Sequence, residues 1–315
     1  MLSRRSMLTL STAVVTGVVG YKPGFGMQAK KRKFTLDLRA GSVGIKADQR
    51  EANRLAVKYG FESVNADPRF LARLSKGEMQ DLKEQMQEDG LVWGSAGLPV
   101  EFRKDKSKFE EDLSNLPALA EALQNAGVTR VGTWLMPNSD ELTYSQNFKQ
   151  HALRLRECAK VLEDHGQRLG LEYVGPRTLW TAKRYPFLHT MAETKELIGE
   201  IGKGKVGFIL DCWHWYTAEE TVDDLMTLNN DQIVACDLND APKGRSVAQQ
   251  IDNQRELPMA TGVIDLKGFL AALVELGYDG PIRAEPFNAK LNQMDNEEAA
   301  SATATAMKAA FALVQ

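Results

Sequence analysis

The sequence predicts an α/β protein built as a single (β/α)8 TIM barrel, and three observations support that fold class. Short runs rich in β-branched and aromatic residues alternate with longer segments of helical period, and the alternation repeats eight times after Lys33. The part of the 315-residue chain after Lys33 gives these eight units about 285 residues, a usual size for such a barrel. Glycines stand where five predicted helices should end before the next strand, at Gly60, Gly90, Gly127, Gly166 and Gly277.

The elements follow one another regularly along the chain. The predicted strands cover residues 34–38, 61–66, 91–95, 130–136, 168–174, 206–212, 232–239 and 282–287. The predicted helices cover residues 48–59, 76–89, 108–126, 145–166, 189–202, 219–228, 265–277 and 294–314. Two long connections, 175–188 and 240–264, are rich in Pro, Gly and charged residues, and loops of this kind belong to the catalytic face of a barrel.

Residues 1–29 are predicted to be an export signal that precedes a barrel domain of residues 30–315. The segment SRRSML carries paired arginines and is followed by the apolar run LTLSTAVVTGVVG, a pattern that resembles a bacterial twin-arginine signal. We therefore expect a periplasmic protein. An uncleaved anchor is the alternative, but the apolar stretch of about 15 residues is shorter than the ~20 that span a bilayer. No stable membrane span is expected once the signal is cleaved.

Charge and cysteine content exclude several classes of function. Removal of residues 1–29 takes away three basic residues and no acid, so the formal net charge moves from −3 to −6. An acidic surface of this kind argues against a nucleic-acid partner. The three cysteines, Cys158, Cys212 and Cys236, contain no CxxC pair, so we expect buried thiols and neither a disulfide framework nor a structural zinc site.

Alternation along the last four strands directs one carboxylate of each strand into the barrel. Because successive side chains point to opposite faces, apolar residues such as Val234, Cys236 and Leu238 should face the surrounding helices. The opposite faces, which point inward near the C-terminal ends of the strands, carry Glu172, Asp211, Asp237 and Glu285.

Such a cluster of carboxylates needs positive charge, because the acids repel one another and lose hydration on burial. A divalent cation bound by oxygen ligands would supply it. The alternative is that the acids pair with inward basic groups, as Arg283 could with Asp37 across the junction of the last and first strands. One ion pair would neutralise only one acid, so we predict a metal site.

The sequence around these acids resembles the xylose isomerase-like sugar isomerase and epimerase barrels, the superfamily that also contains endonuclease IV. The stretches concerned are ECAKVLEDHGQRLGLEYVGP, VGFILDCWHWY, VACDLNDAP, RELPMATGVIDLKGFLAAL and GYDGPIRAEPF, and the resemblance spans residues 33–314. It implies that the family's metal ligands fall on Glu172, Asp211 and Glu285. Asp237 stands where most members have a histidine ligand, which would favour Mn²⁺ or Mg²⁺, with Co²⁺ and Zn²⁺ as alternatives. Asn65 likewise replaces an acid that many epimerases carry.

The resemblance implies a metal-dependent sugar isomerase or epimerase that removes a proton beside a carbonyl and proceeds through an enediolate. Glu172 and Glu285 would be the catalytic acid and base as well as metal ligands. A keto-sugar or keto-glycoside is the expected substrate. A lyase or dehydratase acting on a keto-sugar or keto-inositol, and a non-catalytic sugar-binding barrel, are the alternatives. A nuclease like endonuclease IV is excluded because four histidines are too few for its three zinc ions.

Several side chains are candidates for contact with a carbohydrate, which is the only partner that we predict. The family's DxxH motif falls on Asp211 and His214, and this histidine usually touches substrate. Arg245 follows the seventh strand, where TIM barrels often bind phosphate, although it could instead neutralise a nearby acid. Aromatic rings stack on sugars, and ordinary packing is the alternative for the aromatic candidates Trp134, Trp213 and Phe287.

Overall fold

Eight parallel strands close into a barrel in the computed structural model, which describes residues 30–315, and this confirms the predicted fold class. Neighbouring strands in the barrel are also consecutive along the chain. The predicted export signal, residues 1–29, lies outside the described residues. The strands are β1 (Thr35–Leu38), β2 (Ser63–Ala66), β3 (Val92–Gly97), β4 (Arg130–Trp134), β5 (Arg168–Glu172), β6 (Val206–Asp211), β7 (Ile233–Leu238) and β8 (Pro281–Ala284).

Helices cover the outside of the barrel. They are α1 (Gln49–Tyr59), α2 (Lys76–Glu88), α3 (Lys106–Ala126), α4 (Tyr144–Asp164), α5 (Met191–Ile201), α6 (Cys212–Thr217), α7 (Leu266–Glu275) and α8 (Asn296–Phe311). Single helical turns occur at Pro68–Leu71 and Arg177–Trp180, and Asn138–Ser139 pairs antiparallel with Tyr185–Pro186. Among residues 30–315, no helix combines the length and apolar character needed to cross a bilayer.

The sixth helix differs from its prediction. The chain enters α6 directly after β6, because the side chain of Asp211 accepts a hydrogen bond from the backbone N–H of Trp213. Glu219 then adopts a left-handed conformation with φ of 57°, which a continuous helix does not allow. The predicted helix over 219–228 is therefore wrong, and only the turn Val222–Leu225 forms in that segment.

Inward side chains fill the barrel interior, and at two positions they leave room only for glycine on a neighbouring strand. Ile209 points inward, and a Cβ on Gly132 would lie 2.4 Å from its Cδ1. A Cβ on Gly170 would lie 2.9 Å from the Cβ of Val234. The prediction that Val234 faces the helices is thus wrong, because the register between β6 and β7 shifts at this point and an extra residue turns toward the barrel axis.

The connection 240–264 is fixed by one buried carboxylate. Asp240 is fully buried and exchanges two backbone hydrogen bonds with Glu256, of 2.9 and 2.8 Å. Its side chain accepts hydrogen bonds from the backbone N–H groups of Ala241, Thr261, Gly262, Val263 and Ile264. This long loop is therefore an ordered part of the structure, and it brings Arg255, the neighbour of Glu256, into the barrel mouth.

We expect Gly170→Ala to lower the free energy of unfolding by about 1–3 kcal/mol, because the Val234 Cβ that the new methyl group meets cannot rotate away. Denaturant unfolding of both proteins measures the difference. The matched control is Gly97→Ala in β3, where an added Cβ meets no atom of the described residues within 4 Å. Equal stability of the two variants would contradict the close contact inside the barrel.

Candidate active site

A cavity of about 670 Å³ lies at the C-terminal ends of the strands. Its wall includes three of the predicted site residues that carry ionisable groups, Glu172, His214 and Glu285. It also includes four arginines, Arg39, Arg103, Arg255 and Arg283. Arg39, Arg255 and Arg283 donate to site carboxylates, and of these three the sequence analysis considered only Arg283, as a partner of Asp37.

Glu172 occupies the last position of β5, where the strand register pairs it with Trp134. It is 6% exposed, and its Oε1 has no hydrogen-bond partner among the described residues. The Nε2 atom of His214 lies 3.6 Å from that oxygen, beyond hydrogen-bond distance. Burial, together with repulsion from Glu285 and Asp237, raises the pKa of Glu172 well above its usual value. This unsatisfied oxygen is a place where a cation or a proton would be stabilised.

Asp211 is buried at the end of β6 and is held by three donors. Its Oδ1 accepts hydrogen bonds of 2.8 Å from Asn239 Nδ2 and from the backbone N–H of Trp213. Its Oδ2 accepts a hydrogen bond of 2.7 Å from Arg255 Nη1. Burial raises its pKa to about 7 even though the Arg255 charge opposes that shift.

Asp237 forms a buried ion pair with Arg283 on the adjacent strand β8. Arg283 Nε lies 2.6 Å from Oδ1, and Nη2 lies 3.0 Å from Oδ2, so both carboxylate oxygens are engaged. Arg283 Nη1 also donates to the Ser95 hydroxyl at 2.5 Å. The alternative that Arg283 pairs with Asp37 is therefore wrong, because the strand register sets Arg283 directly beside Asp237.

Glu285 follows β8 by one residue and is 7% exposed. Its Oε1 accepts a hydrogen bond of 2.9 Å from Arg39 Nη1, and its Oε2 lies 3.6 Å from Arg255 Nη1. Burial raises the pKa of Glu285, whereas Arg39 and Arg255 oppose the shift. The two predicted catalytic glutamates thus differ in their surroundings, since Glu285 has a guanidinium donor and Glu172 Oε1 has none within the part of the chain that is described.

Arg255 is a residue that the sequence analysis missed. Its guanidinium is buried and donates to Asp211, to the side chain of Asp252 at 2.8 Å and to the carbonyl oxygen of Glu285 at 3.2 Å. It also stacks between the rings of Trp213 and Phe287, at 5.3 and 4.7 Å from their centroids. Its only sequence signal was its place in the fragment RELPMATGVIDLKGFLAAL, on which part of the family resemblance rests.

His214 is neutral, because burial and the Arg255 charge hold its pKa well below the usual range. The backbone N–H of Gly175 lies 3.3 Å from Nδ1, and Arg255 Nη2 lies 3.3 Å from Nε2. A neutral imidazole accepts at only one ring nitrogen and carries a proton on the other. Both ring nitrogens of His214 therefore face N–H donors, and the neutral ring can accept a hydrogen bond at only one of them.

The predicted substrate-contact residues divide into two groups. Trp134 and Phe287 line the cavity and are 39% and 38% exposed, so both rings can meet a ligand. Trp213 is fully buried beneath Arg255, and Arg245 donates to Gln254 at 2.8 Å. Neither Trp213 nor Arg245 belongs to the cavity wall.

The carboxylates fit a divalent cation. Ligand atoms of Glu172, Asp237 and Glu285 lie within 4.8 Å of one another, and so do those of Glu172, Asp211 and His214. Among the described residues of the site, buried carboxylates outnumber the guanidinium groups that pair with them. Glu172, whose Oε1 has no hydrogen-bond partner, is one of the acids left without a guanidinium. The acids in question are Asp37, Glu172, Asp211, Asp237 and Glu285, against Arg39, Arg255 and Arg283.

Known proteins share this architecture. An inosose isomerase of Halalkalibacterium halodurans is 22% identical over 243 residues, which cover 76% of this chain and 83% of that protein. The solved structure of the IOLI protein with a bound zinc atom has a TM-score of 0.72 and 20% identity, over 90% of this chain and 99% of that one.

A solved structure with higher sequence identity and a family model identify the family of this chain. A xylose isomerase domain protein from Alicyclobacillus acidocaldarius is 30% identical with a TM-score of 0.78, over 90% of this chain and 99% of that one. The family model described as xylose isomerase-like TIM barrel matches residues 54–310. The chain therefore belongs to the xylose isomerase-like TIM barrel family.

Proposed function

We propose that this chain is a divalent-metal-dependent sugar isomerase or epimerase that moves a proton on a carbon beside a carbonyl. The observation that carries the proposal is the pair Glu172 and Glu285, which line one cavity and belong to one group of potential metal ligands. Two carboxyl groups in one cavity can remove a proton from one face of a substrate and return a proton to the other face. The inosose isomerase named above supports a cyclic polyol or keto-sugar as the substrate class.

Of the four predicted ligands, Glu172, Asp237 and Glu285 form the group that would hold the ion, and Asp211 shares only Glu172 with that group. When bound, a divalent cation would stabilise the negative charge that develops on the substrate oxygen during proton removal. The oxygen ligands favour Mn²⁺ or Mg²⁺, although the IOLI protein carries zinc. His214 belongs to a second group of potential ligands together with Glu172 and Asp211.

The surroundings of the two glutamates suggest different tasks. Arg39 donates to Glu285 and stabilises its ionised form, so Glu285 is the better candidate for the base that accepts the substrate proton. Glu172 Oε1 has no donor among residues 30–315, so it is the oxygen left open for the ion or for a transferred proton, and we assign to Glu172 the return of the proton. The neutral His214 lines the same cavity and would contact the substrate beside them.

The proposed proton transfer is tested by incubating metal-loaded protein with keto-sugars in D₂O and following deuterium uptake by NMR. We expect Glu172→Gln and Glu285→Gln each to slow the exchange by at least about 100-fold, because each removes a proton-transfer group. Glu163→Gln, an exposed glutamate on α4, is the control and should exchange normally. An unsaturated product in place of an epimer would identify a lyase. Absence of exchange from a broad panel would favour the sugar-binding alternative.

Metal binding is tested by elemental analysis and thermal unfolding of protein dialysed against each metal. We expect about one ion per chain and a stabilisation of about 2.7 kcal/mol at a metal concentration 100 times Kd. Glu172→Gln should weaken binding at least about 10-fold because it removes a ligand. Glu163→Gln is the control here too, since this exposed glutamate belongs to neither ligand group. Retention of no metal, with no thermal shift for Mn²⁺, Mg²⁺, Co²⁺ or Zn²⁺, would refute the proposal.

We further propose that the protein is exported by the twin-arginine route. The paired arginines Arg4 and Arg5 support this, and Arg4→Lys combined with Arg5→Lys should keep the chain in the cytoplasm of a bacterial host. Cell fractionation and mass spectrometry of the N-terminus measure the outcome, with Lys22→Gln as the control. Cytoplasmic wild-type protein with an intact N-terminus would contradict export.

A further inference from the structure

A second cavity of about 790 Å³ adjoins the active site. The two cavities share Arg103, Trp134 and Met136, so the wall of one continues into the wall of the other. Both volumes fall within the range of about 300–1,000 Å³ that is usual for small-molecule sites. The second cavity is therefore the adjoining space for a substituent of a substrate in the active site.

Positive charge exceeds negative charge in the wall of the second cavity. The cations that line it are Arg103, Lys104, Lys106, Arg154 and Lys183. The acids that line it are Glu101, Asp105 and Glu141. The chain as a whole carries a formal net charge of −3, so this excess of positive charge is local and would attract anions to this side of the barrel mouth.

Two of these acids are engaged with other groups. Glu101 lies 2.8 Å from Arg103 Nε, so this pair carries no net charge. Asp105 is directed to the N-terminus of α3, where it accepts a hydrogen bond of 3.0 Å from the backbone N–H of Lys108. Neither carboxylate forms a salt bridge with the remaining cations of the cavity wall within residues 30–315.

The three lysines of the wall are only weakly paired. Lys183 lies 3.8 Å from Asp140, and Lys106 lies 3.4 Å from Glu110, in both cases between exposed side chains. Pairs of this kind contribute little and break easily. Lys104 is exposed and forms no salt bridge with any described residue. All three ammonium groups can therefore turn toward an anion in the cavity.

Arg154 is a guanidinium without a carboxylate partner. Its Nη1 donates to the backbone carbonyl oxygens of Phe102 and Lys104, at 2.7 and 2.6 Å, and these two bonds fix its position. Asp105 and Glu110 act on it only from beyond salt-bridge distance among the described residues. Burial lowers the pKa of Arg154, so an anion beside it would stabilise its charged form.

The remaining N–H groups of Arg154 are accessible to a ligand. Nε and Nη2 have no hydrogen-bond partner within residues 30–315, and neither is enclosed by protein. This edge of a guanidinium can donate to both oxygens of a carboxylate, or to two oxygens of a sulfate or phosphate group. Gln150, which stands one helical turn before Arg154 on α4, lines the same cavity and offers an amide N–H group beside it.

We propose that the second cavity binds an anionic oxygen group of the substrate, a carboxylate, sulfate or phosphate, through Arg154, with Lys104 and Lys183 adding positive charge. The enzyme then selects acidic substrates over neutral ones. The placement of the reacting carbon at Glu172 rests on the function proposed above. The binding of the acidic group rests on the second cavity alone.

The test measures, by calorimetry, the binding of glucose, glucuronate and glucose 6-phosphate to the metal-loaded protein. We expect at least one of the two acidic sugars to bind about 10-fold more tightly than glucose, because it gains charge-assisted hydrogen bonds to Arg154. The carboxylate and the phosphate show which acidic group the cavity accepts. The preference should weaken as the ionic strength rises, because the exposed lysines contribute to it.

Gln150→Glu separates the second cavity from the metal site, which also attracts acids. A glutamate at position 150 stands four residues before Arg154 on α4, so it would form a salt bridge that occupies the guanidinium and keeps the helix stable. We expect the ratio of acidic to neutral affinity to fall at least about fivefold, with the free energy of unfolding unchanged. Gln87→Glu, an exposed position on α2 outside both cavity walls, is the matched control for net charge.

Substitution of Arg154 itself provides a second measurement. Arg154→Gln should remove the acidic preference, whereas Arg154→Lys should keep part of it, because lysine retains the charge without the paired N–H groups. Denaturant unfolding of both variants checks that the carbonyl contacts at Phe102 and Lys104 are not needed for folding.

Three results would overturn the proposal: no acidic sugar that binds more tightly than glucose, a preference unchanged by Gln150→Glu, or an equal fall in the Gln87→Glu control. Deuterium exchange on keto-glucose with no acidic preference would overturn the anion site and leave the proposed function standing. An acidic preference that depends on Arg154, without exchange on any keto derivative of these sugars, would do the reverse.

Discussion

The mutual repulsion of carboxylates buried at one end of a closed barrel is the constraint on which the rest of the site depends. Each acid is brought there by the end of a different strand, so the closed barrel fixes the backbone positions from which the acids converge. The protein meets this cost with guanidinium groups from three separate elements, namely Arg39 after β1, Arg255 in the connection 240–264 and Arg283 in β8. Glu172 Oε1 and both oxygens of Asp37 have no donor among the described residues, and of these two acids only Glu172 lines the cavity, which is where a further positive charge gains most.

This arrangement makes the long connection 240–264 part of the active site. Asp240 holds both ends of the loop through backbone N–H groups, and the loop in turn presents Arg255 to Asp211 and Glu285. Trp213 and Phe287 enclose the guanidinium from either side, and Phe287 adopts a left-handed φ of 41°. Strained backbone of this kind persists only where the surroundings fix it, and here it lies two residues after Glu285.

The sequence was sufficient for the barrel and for the inward carboxylates, because both follow from strictly local periods. The same alternation along β1 also directs Asp37 and Arg39 inward, so the inward position of Arg39 could have been predicted from the sequence. Arg255 was not, since a 25-residue loop has no period and its path depends on the contacts of Asp240. The predictions for Val234 and for the segment 219–228 were wrong for a related reason. A strand bulge at Val234 and the left-handed residue Glu219 interrupt the local period, and no residue type in the sequence marks either of them.

The ion pair between Asp237 and Arg283 gives this site a different distribution of charge from a site with a histidine ligand. A neutral histidine ligand would add no charge, whereas Asp237 brings a negative charge and Arg283 brings the positive charge that balances it. Each oxygen of Asp237 accepts one hydrogen bond from Arg283 and keeps a lone pair that a metal ion could use. A guanidinium so close to a bound dication would weaken its binding through repulsion and leave the ion more able to polarise a substrate oxygen. Removing Arg283 alone would expose Asp237 as an unpaired buried charge, so the two residues function as one unit.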